Sequence, residues 1–196
     1  RMLLVYAGTC ALLSMWISNT ATTAMMFPIG LSIIAHLSRG ARGRQEPLRK
    51  FALALMLVTS FAASIGGMGT PVGTPPNLIG MLEHIVGVDI TFFSWMALAV
   101  PIVALLFIYL VAQFHFSSVR GLPAAEGSTA MVREELAKLG RLTLGQRNVG
   151  LAFGVTVLLW VLPGLLALAG SGETPLARRY AEAMPEGVAA MVGALL

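Results

Sequence analysis

Ser14-Met15-Trp16-Ile17-Ser18-Asn19-Thr20-Ala21-Thr22 is the stretch that decides how this chain folds. It is a polar knot inside an apolar run. No charged side chain falls between Met2 and Ala35, yet Ser18, Asn19 and Thr20 stand together near the middle. A membrane-crossing helix needs about 20 apolar residues. The run 2–37 is too long for one crossing and short for two crossings plus a turn. It reads as a re-entrant hairpin that enters and leaves on one side, with legs Leu3–Ile17 and Ala21–Leu37 and a tip at Ser18-Asn19-Thr20. At 1.5 Å rise per residue the first leg reaches roughly 22 Å, short of a ~30 Å hydrocarbon core. Polar backbone at that depth is tolerated only where protein buries it or a cavity wets it.

Working outward, residues 38–50 carry Arg39, Arg42, Arg44, Arg49 and Lys50 against Glu46 alone, which reads as a cytoplasmic loop. The next apolar run, Phe51 to Val86, is broken by Gly66-Gly67-Met68-Gly69-Thr70-Pro71-Val72-Gly73-Thr74-Pro75-Pro76-Asn77 into half-helices Phe51–Ser64 and Pro75–Val86. The link Gly87–Thr91 has no Lys or Arg and is expected outside. Phe92–Phe114 is long enough to cross back, with Trp95 near the outer interface. Residues 117–147 hold five Lys/Arg and three glutamates, and Ala130–Leu142 suits a short amphipathic surface helix. Asn148–Ala169 is the next crossing, 170–186 an outer loop with two arginines, and 187–196 the start of another helix. The loop charges agree with this single topology.

Composition points the same way. Apolar residues make up 57% and charged residues 11%, against about 25% charged in soluble domains, and mean hydropathy is +0.81. A soluble domain is excluded. The net charge of +4 sits in the loops, so it signals orientation and not nucleic acid. Cys10, the single cysteine, excludes an internal disulfide framework and reads as packing. The chain opens inside an apolar segment and closes on what reads as a helix start, and no signal peptide is evident. An internal piece of a larger protein is expected.

Two interrupted helices in a membrane chain point to a transporter site. At each break one half-helix ends in free carbonyls, which suit a cation, and the next begins with free N–H groups, which suit an anion. Asn19 or Thr20 is expected to cap the second hairpin leg, and Thr74 to precede a half-helix with Pro75 at its first position. No Lys, Arg, Asp, Glu or His lies in 2–35 or 51–82, so a bound dianion has no side-chain counter-charge in these segments. A cation recruited from solvent would offset that cost. Oxygens of Ser14, Ser18 and Asn19 with backbone carbonyls suit Na⁺. Ser14 and Ser18, four residues apart, share one helix face, and Gly66, Gly67 and Gly69 let carbonyls come close. Thr70 and Thr74 read equally as site lining or as caps, and Gly73, Pro76 and Asn77 complete the break. Met25, Met26 and Met68 read as packing. Glu83 and His84 read as the outer interface, and His36 and His115 as cytoplasmic helix ends. No histidine has a ligand-like neighbour, and no structural metal is expected.

The chain resembles the divalent anion:sodium symporter family, the carboxylate and sulfate carriers. The residues that carry the likeness are Ser14–Thr22 and Gly66–Ile79, and it extends over essentially the whole chain. The resemblance implies an all-α membrane protein, one half of an inverted-repeat, elevator-type transporter. Residues 1–116 would belong to the mobile transport domain, 117–147 to a cytoplasmic linker and 148–196 to the scaffold. It further implies that Ser18, Asn19 and Thr20 touch the substrate carboxylate, with Ser14, Ser18, Asn19 and a carbonyl near Gly66–Gly67 holding Na⁺. The implied protein is a homodimer in a bacterial inner membrane, coupling Na⁺ entry to uptake of a dicarboxylate such as succinate or malate. The family carries a Ser-Asn-Thr tip in each repeat; only the first is in this sequence.

Two other readings stand beside it. One is a related sulfate, citrate or arsenite carrier or an uncoupled exchanger, which should carry a Lys, Arg or His at the tip in place of the cation. The other is a membrane enzyme, which needs intramembrane acid, base or metal groups that 2–35 and 51–82 lack.

Overall fold

The computed structural model describes residues 2–40, 45–80, 90–118, 140, 142–169, 180 and 183–196. Among them every regular element is helical: α1 (Met2–Ser14), α2 (Asn19–Gly40), α3 (Gln45–Gly67), α4 (Pro75–Gly80), α5 (Phe92–Ser118), α6 (Leu144–Ala169) and α7 (Glu186–Leu195). Four of these are long and apolar enough to cross a bilayer, over Asn19–Ser38, Gln45–Gly67, Phe92–Phe114 and Leu144–Leu166. α1 is not: its 13 residues rise ~20 Å. α1 ends at Ser14, three residues short of the expected first leg Leu3–Ile17, because a tight turn follows it.

Several boundaries differ from the sequence expectation. α3 does not begin at Phe51 and end at Ser64; it runs from Gln45 to Gly67. Its charged start continues the helix beyond the apolar stretch, with Glu46 in the first turn and Pro47 where a missing N–H costs nothing. The expected loop 38–50 is therefore partly helix, since α2 also runs on to Gly40. α6 begins at Leu144, not Asn148. A capping box sets that start: Gln146 N donates to Thr143 Oγ1 at 3.2 Å and Thr143 N to Gln146 Oε1 at 3.0 Å. α5 continues past Phe114 to Ser118. Glu83, His84, residues 81–86 of the second half-helix, the link 87–89 and most of Ala130–Leu142 lie outside the described residues.

The chain divides into two compact units, Arg1–Ile90 with Trp95–Ser128 and Thr91–Ser94 with Thr129–Leu196. In the first, α1 and α2 pack on α3. The buried stripes recur at helical spacing: Leu3, Tyr6, Ala7, Cys10 and Ala11 on α1 meet Phe51, Ala54, Leu55, Val58 and Ala62 on α3. Small residues near the tip let backbones approach, as they do between membrane helices generally. Deeper in this unit, the Tyr6 hydroxyl lies 2.9 Å from both the Met26 carbonyl and the Thr59 hydroxyl, joining all three helices.

In the second unit Phe92 stacks on Trp160 with ring centroids 4.9 Å apart. Phe92 N donates to Glu186 Oε1 at 2.9 Å, and Trp160 Nε1 donates to the Glu186 carbonyl at 3.0 Å. α7 approaches α6 so closely that a Cβ at Gly193 would overlap the Thr156 hydroxyl.

Candidate functional site: the hairpin tip and the helix break

The hairpin turn is built from short backbone bonds. Met15 N donates to the Ala11 carbonyl at 3.2 Å, and Trp16 N and Ile17 N both reach the Leu13 carbonyl. The chain then reverses and α2 starts. Its cap is Ser18, not Asn19 or Thr20 as the sequence suggested: Ala21 N donates to Ser18 Oγ at 3.3 Å and Thr22 N to the Ser18 carbonyl at 2.9 Å. The reason lies across the turn. Asn19 is committed elsewhere, because Ser14 Oγ donates to Asn19 Oδ1 at 2.6 Å. Ser14 is fully buried, so this bond spans the base of the hairpin inside the protein.

The break after α3 meets that amide directly. A Cβ at Gly67 would overlap Asn19 Oδ1, and one at Gly66 would overlap the Ala11 carbonyl. Only glycine leaves room for the hairpin tip to sit against the end of α3. The orphan carbonyls at this end are then taken up in order. Gly69 N donates to the Gly66 carbonyl at 2.8 Å. Asn77 Nδ2 donates to the Gly67 carbonyl at 2.9 Å and to the Thr70 carbonyl at 2.8 Å. Thr70 Oγ1 donates to the Met15 carbonyl, which fastens the break to the hairpin turn. Gly73 packs with its Cα against the Gly67 and Ser14 carbonyls. α4 starts at Pro75, with Asn77 N bonded to the Thr74 carbonyl at 3.1 Å.

A cavity of about 550 Å³ opens between α2 and α3 beside this junction, lined by Asn19, Thr20, Thr23, Ala24, Phe27, Ser60 and Ser64. Of the residues singled out in the sequence, Asn19 and Thr20 line it. Ser14, Gly66, Gly67, Thr70, Gly73 and Asn77 are buried behind it at the tip–break junction. Ser18 caps α2 and is exposed. Thr74, Pro75 and Pro76 stand at the start of α4, outside the lining. Thr23, Ser60 and Ser64 escaped the sequence reading because single hydroxyls inside an apolar run carry no local signal. Their shared helical phase, Ser60 and Ser64 on α3 against Thr20 and Thr23 on α2, was the available clue.

Every donor at this junction is neutral. Ser14 Oγ and Asn19 Oδ1 are bonded to each other, and the carbonyls of Gly66 and Gly67 stand at the neighbouring end of α3; neutral oxygens are the donor type that suits a small hard cation. The two carbonyls each accept one hydrogen bond, and each keeps a lone pair. Among the described residues no group of three or more His, Cys, Asp or Glu gathers.

A family profile described as CitMHS, citrate transporter, matches residues 1–196. The sodium-dependent dicarboxylate transporter SdcS of Staphylococcus saprophyticus is 33% identical over 166 residues, covering 82% of this chain and 32% of the relative. SdcS of Staphylococcus aureus is 34% identical over 169 residues, with the same coverage. The chain thus spans about a third of the length of these curated relatives. The matching family and relatives are named as transporters, not as enzymes.

Proposed function

Because the chain belongs to the citrate-transporter family CitMHS, we propose that it forms part of a multi-pass secondary transporter. That transporter couples inward Na⁺ movement to uptake of a divalent anion, foremost a C4-dicarboxylate such as succinate or malate. The observation that carries this reading is the Asn19 amide, clamped between the buried Ser14 hydroxyl and Gly67 where a hairpin tip meets a broken helix. The named activity of the SdcS relatives supports both the ion and the substrate class.

In this reading Na⁺ is cargo. Ser14, Ser18, Asn19 and the Gly66 and Gly67 carbonyls hold it. The outer donors of the tip, from Ser18, Asn19 and Thr20, take one carboxylate of the anion. Neither ion is comfortable there alone, since an unpaired charge in a low-dielectric setting costs several kcal/mol or more. Each lowers the cost of the other, so occupancy by one favours the other, and that coupling is reciprocal. Thr74 and Pro75, at the start of α4, would take the anion from the second helix N-terminus. The reading extends to an inverted-repeat elevator, with 1–116 in the moving domain and 148–196 in the scaffold, working as a homodimer in a bacterial inner membrane. The resemblance of Ser14–Thr22 and Gly66–Ile79 supports that extension, as does the bacterial source of the relatives.

The test is labelled succinate uptake into proteoliposomes by the complete transporter polypeptide, under inward Na⁺ or K⁺ gradients, for the parent and Asn19→Ala. Uptake that requires Na⁺ and collapses in Asn19→Ala is the expected result. Uptake indifferent to Na⁺ would overturn the coupling. A second reading, citrate as cargo, is favoured by the family's own description. It predicts Na⁺-driven citrate uptake by the parent with succinate refused.

A further inference from the structure

Hydroxyls in these helices mostly hide their hydrogen on their own backbone. Thr9, Thr23, Ser38, Thr59 and Thr156 each donate to a carbonyl of their own helix about one turn back. Thr22 does not. It is fully buried, and among the described residues its Oγ1 is the buried side-chain oxygen left without a hydrogen-bond partner. The Ser18 carbonyl one turn back accepts from Thr22 N and has a second lone pair to offer, so a local bond is within reach and not taken. Such an oxygen is costly to bury and calls for a reason. Burial only deepens as more chain packs around these helices. No segment from elsewhere in the complete transporter therefore reaches Thr22 Oγ1 without displacing the residues that already enclose it.

Two bonds fix where Thr22 stands. Ser14 Oγ on α1 donates to Asn19 Oδ1, three residues before it on α2, and Tyr6 Oη on α1 donates to the carbonyl of Met26, four residues after it. Asn19, Thr22 and Met26 share one face of α2. Thr22 thus faces α1 between the levels of Tyr6 and Ser14. A helical side chain leans toward the N-terminus of its own helix, which here is toward Ser14.

The bond from Ser14 to Asn19 is 2.6 Å long. A hard cation that holds its oxygens at about 2.3–2.6 Å sets two ligands at right angles about 3.3–3.7 Å apart. An ion of that kind seated on both oxygens cannot leave the bond intact. Ser14 Oγ turns a lone pair to the ion and its hydrogen away from it. Ser14 is fully buried, so no water is at hand to accept that hydrogen.

We propose that Thr22 is a positioning residue of the Na⁺ site. Its Oγ1 accepts the Ser14 hydrogen when Na⁺ takes the Ser14 and Asn19 oxygens, and its own hydrogen goes to the Ser18 carbonyl. This rests on the reading of Ser14 and Asn19 as Na⁺ ligands. The bond forms only with the ion seated, so it adds to Na⁺ affinity and nothing to the stability of the chain in K⁺. The competing acceptor is the Cys10 carbonyl, one turn back on α1.

The experiment uses the complete transporter polypeptide, with thermal unfolding in detergent over a Na⁺ series balanced by K⁺, and labelled succinate uptake in proteoliposomes. Thr22→Val exchanges the hydroxyl for a methyl of like size. Its melting temperature in K⁺ should equal or exceed the parental value, because an unpartnered buried hydroxyl is gone. The Na⁺ concentrations for half of the thermal gain and for half-maximal uptake should both rise about three- to tenfold, the loss of one hydrogen bond. Thr22→Ser should return both to parental. Should the valine variant not fold, Thr22→Ala carries the test: a lower melting temperature in both ions, with the same rise in the Na⁺ required. In a Ser14→Ala background Thr22→Val should add nothing, since it acts through Ser14. Parental Na⁺ dependence in Thr22→Val gives the hydrogen to the Cys10 carbonyl and overturns the proposal, leaving the Na⁺ site standing. Full additivity with Ser14→Ala overturns it as well. A parent whose melting and uptake ignore Na⁺ overturns the tip reading along with it.

Discussion

Gly67→Ala is the sharpest test of the tip–break junction. The added Cβ would occupy the position of Asn19 Oδ1. Asn19 must then rotate away, and its bond from Ser14 Oγ breaks. Ser14 has no exposure to water that could replace it. An unsatisfied buried hydroxyl costs about 1–3 kcal/mol. Crowding at a closely packed backbone adds about 1–3 kcal/mol. If half of this falls on the Na⁺-ready arrangement, about 1–3 kcal/mol, the ion binds roughly 5- to 140-fold less tightly, at about 1.4 kcal/mol per decade. The assay is the Na⁺ dependence of succinate uptake by the complete transporter, paired with thermal unfolding in detergent with Na⁺ or K⁺. The expected result is a half-saturating Na⁺ concentration raised about fivefold or more and a smaller Na⁺-induced gain in melting temperature. Gly154→Ala on α6 is the control, because a Cβ there meets nothing within 4 Å. If Gly67→Ala keeps the parental Na⁺ dependence and the parental melting temperature, the close approach of Asn19 to Gly67 is not the functional contact argued above.

Two further outcomes follow from the same bonds. Thr70→Val removes the hydroxyl that fastens the break to the Met15 carbonyl. It should lower the unfolding midpoint in detergent by an amount equivalent to about 1–3 kcal/mol, with Thr70→Ser close to parental. Thr143→Ala removes the capping box of α6 and should cost about 1 kcal/mol, read as earlier proteolysis near residue 143 with uptake per folded molecule unchanged.

The hairpin and the break were legible because each sets polar residues or glycines where an apolar run should continue. Lipid gives such residues no partner, so they must meet protein or water. The pairing of Ser14 with Asn19 was not legible: Ser14 and Ser18 were expected to share one helix face, but α1 ends at Ser14, Ser18 lies past the turn, and Ser14 bonds Asn19 instead. The cap at Ser18 was not legible, because Ser18, Asn19 and Thr20 are all good caps. Only the competing bond from Ser14 decides among them. The extent of α3 was hidden by its charged first turns, which read as loop by composition but continue a helix begun at Gln45. Thr143 and Gln146 did carry a readable capping signal three residues apart, outweighed in the sequence by the run of charge before them. Thr70 and Asn77 read as possible lining. In the fold both spend their polar atoms on backbone carbonyls, a use that depends on contacts 7 to 55 residues distant. Ser60 and Ser64 meet the cavity only through the packing of α2 on α3, which no local stretch of sequence shows.

The residues around the tip and along the groove are serines, threonines, an asparagine, an alanine and a phenylalanine. None of them carries charge at any ordinary pH. A membrane potential does work only on charge, about 2.3 kcal/mol per elementary charge per 100 mV. This segment therefore has nothing of its own for the field to pull on. Under the proposed function, charge moved through this groove would be that of the ions seated in it and not of its side chains.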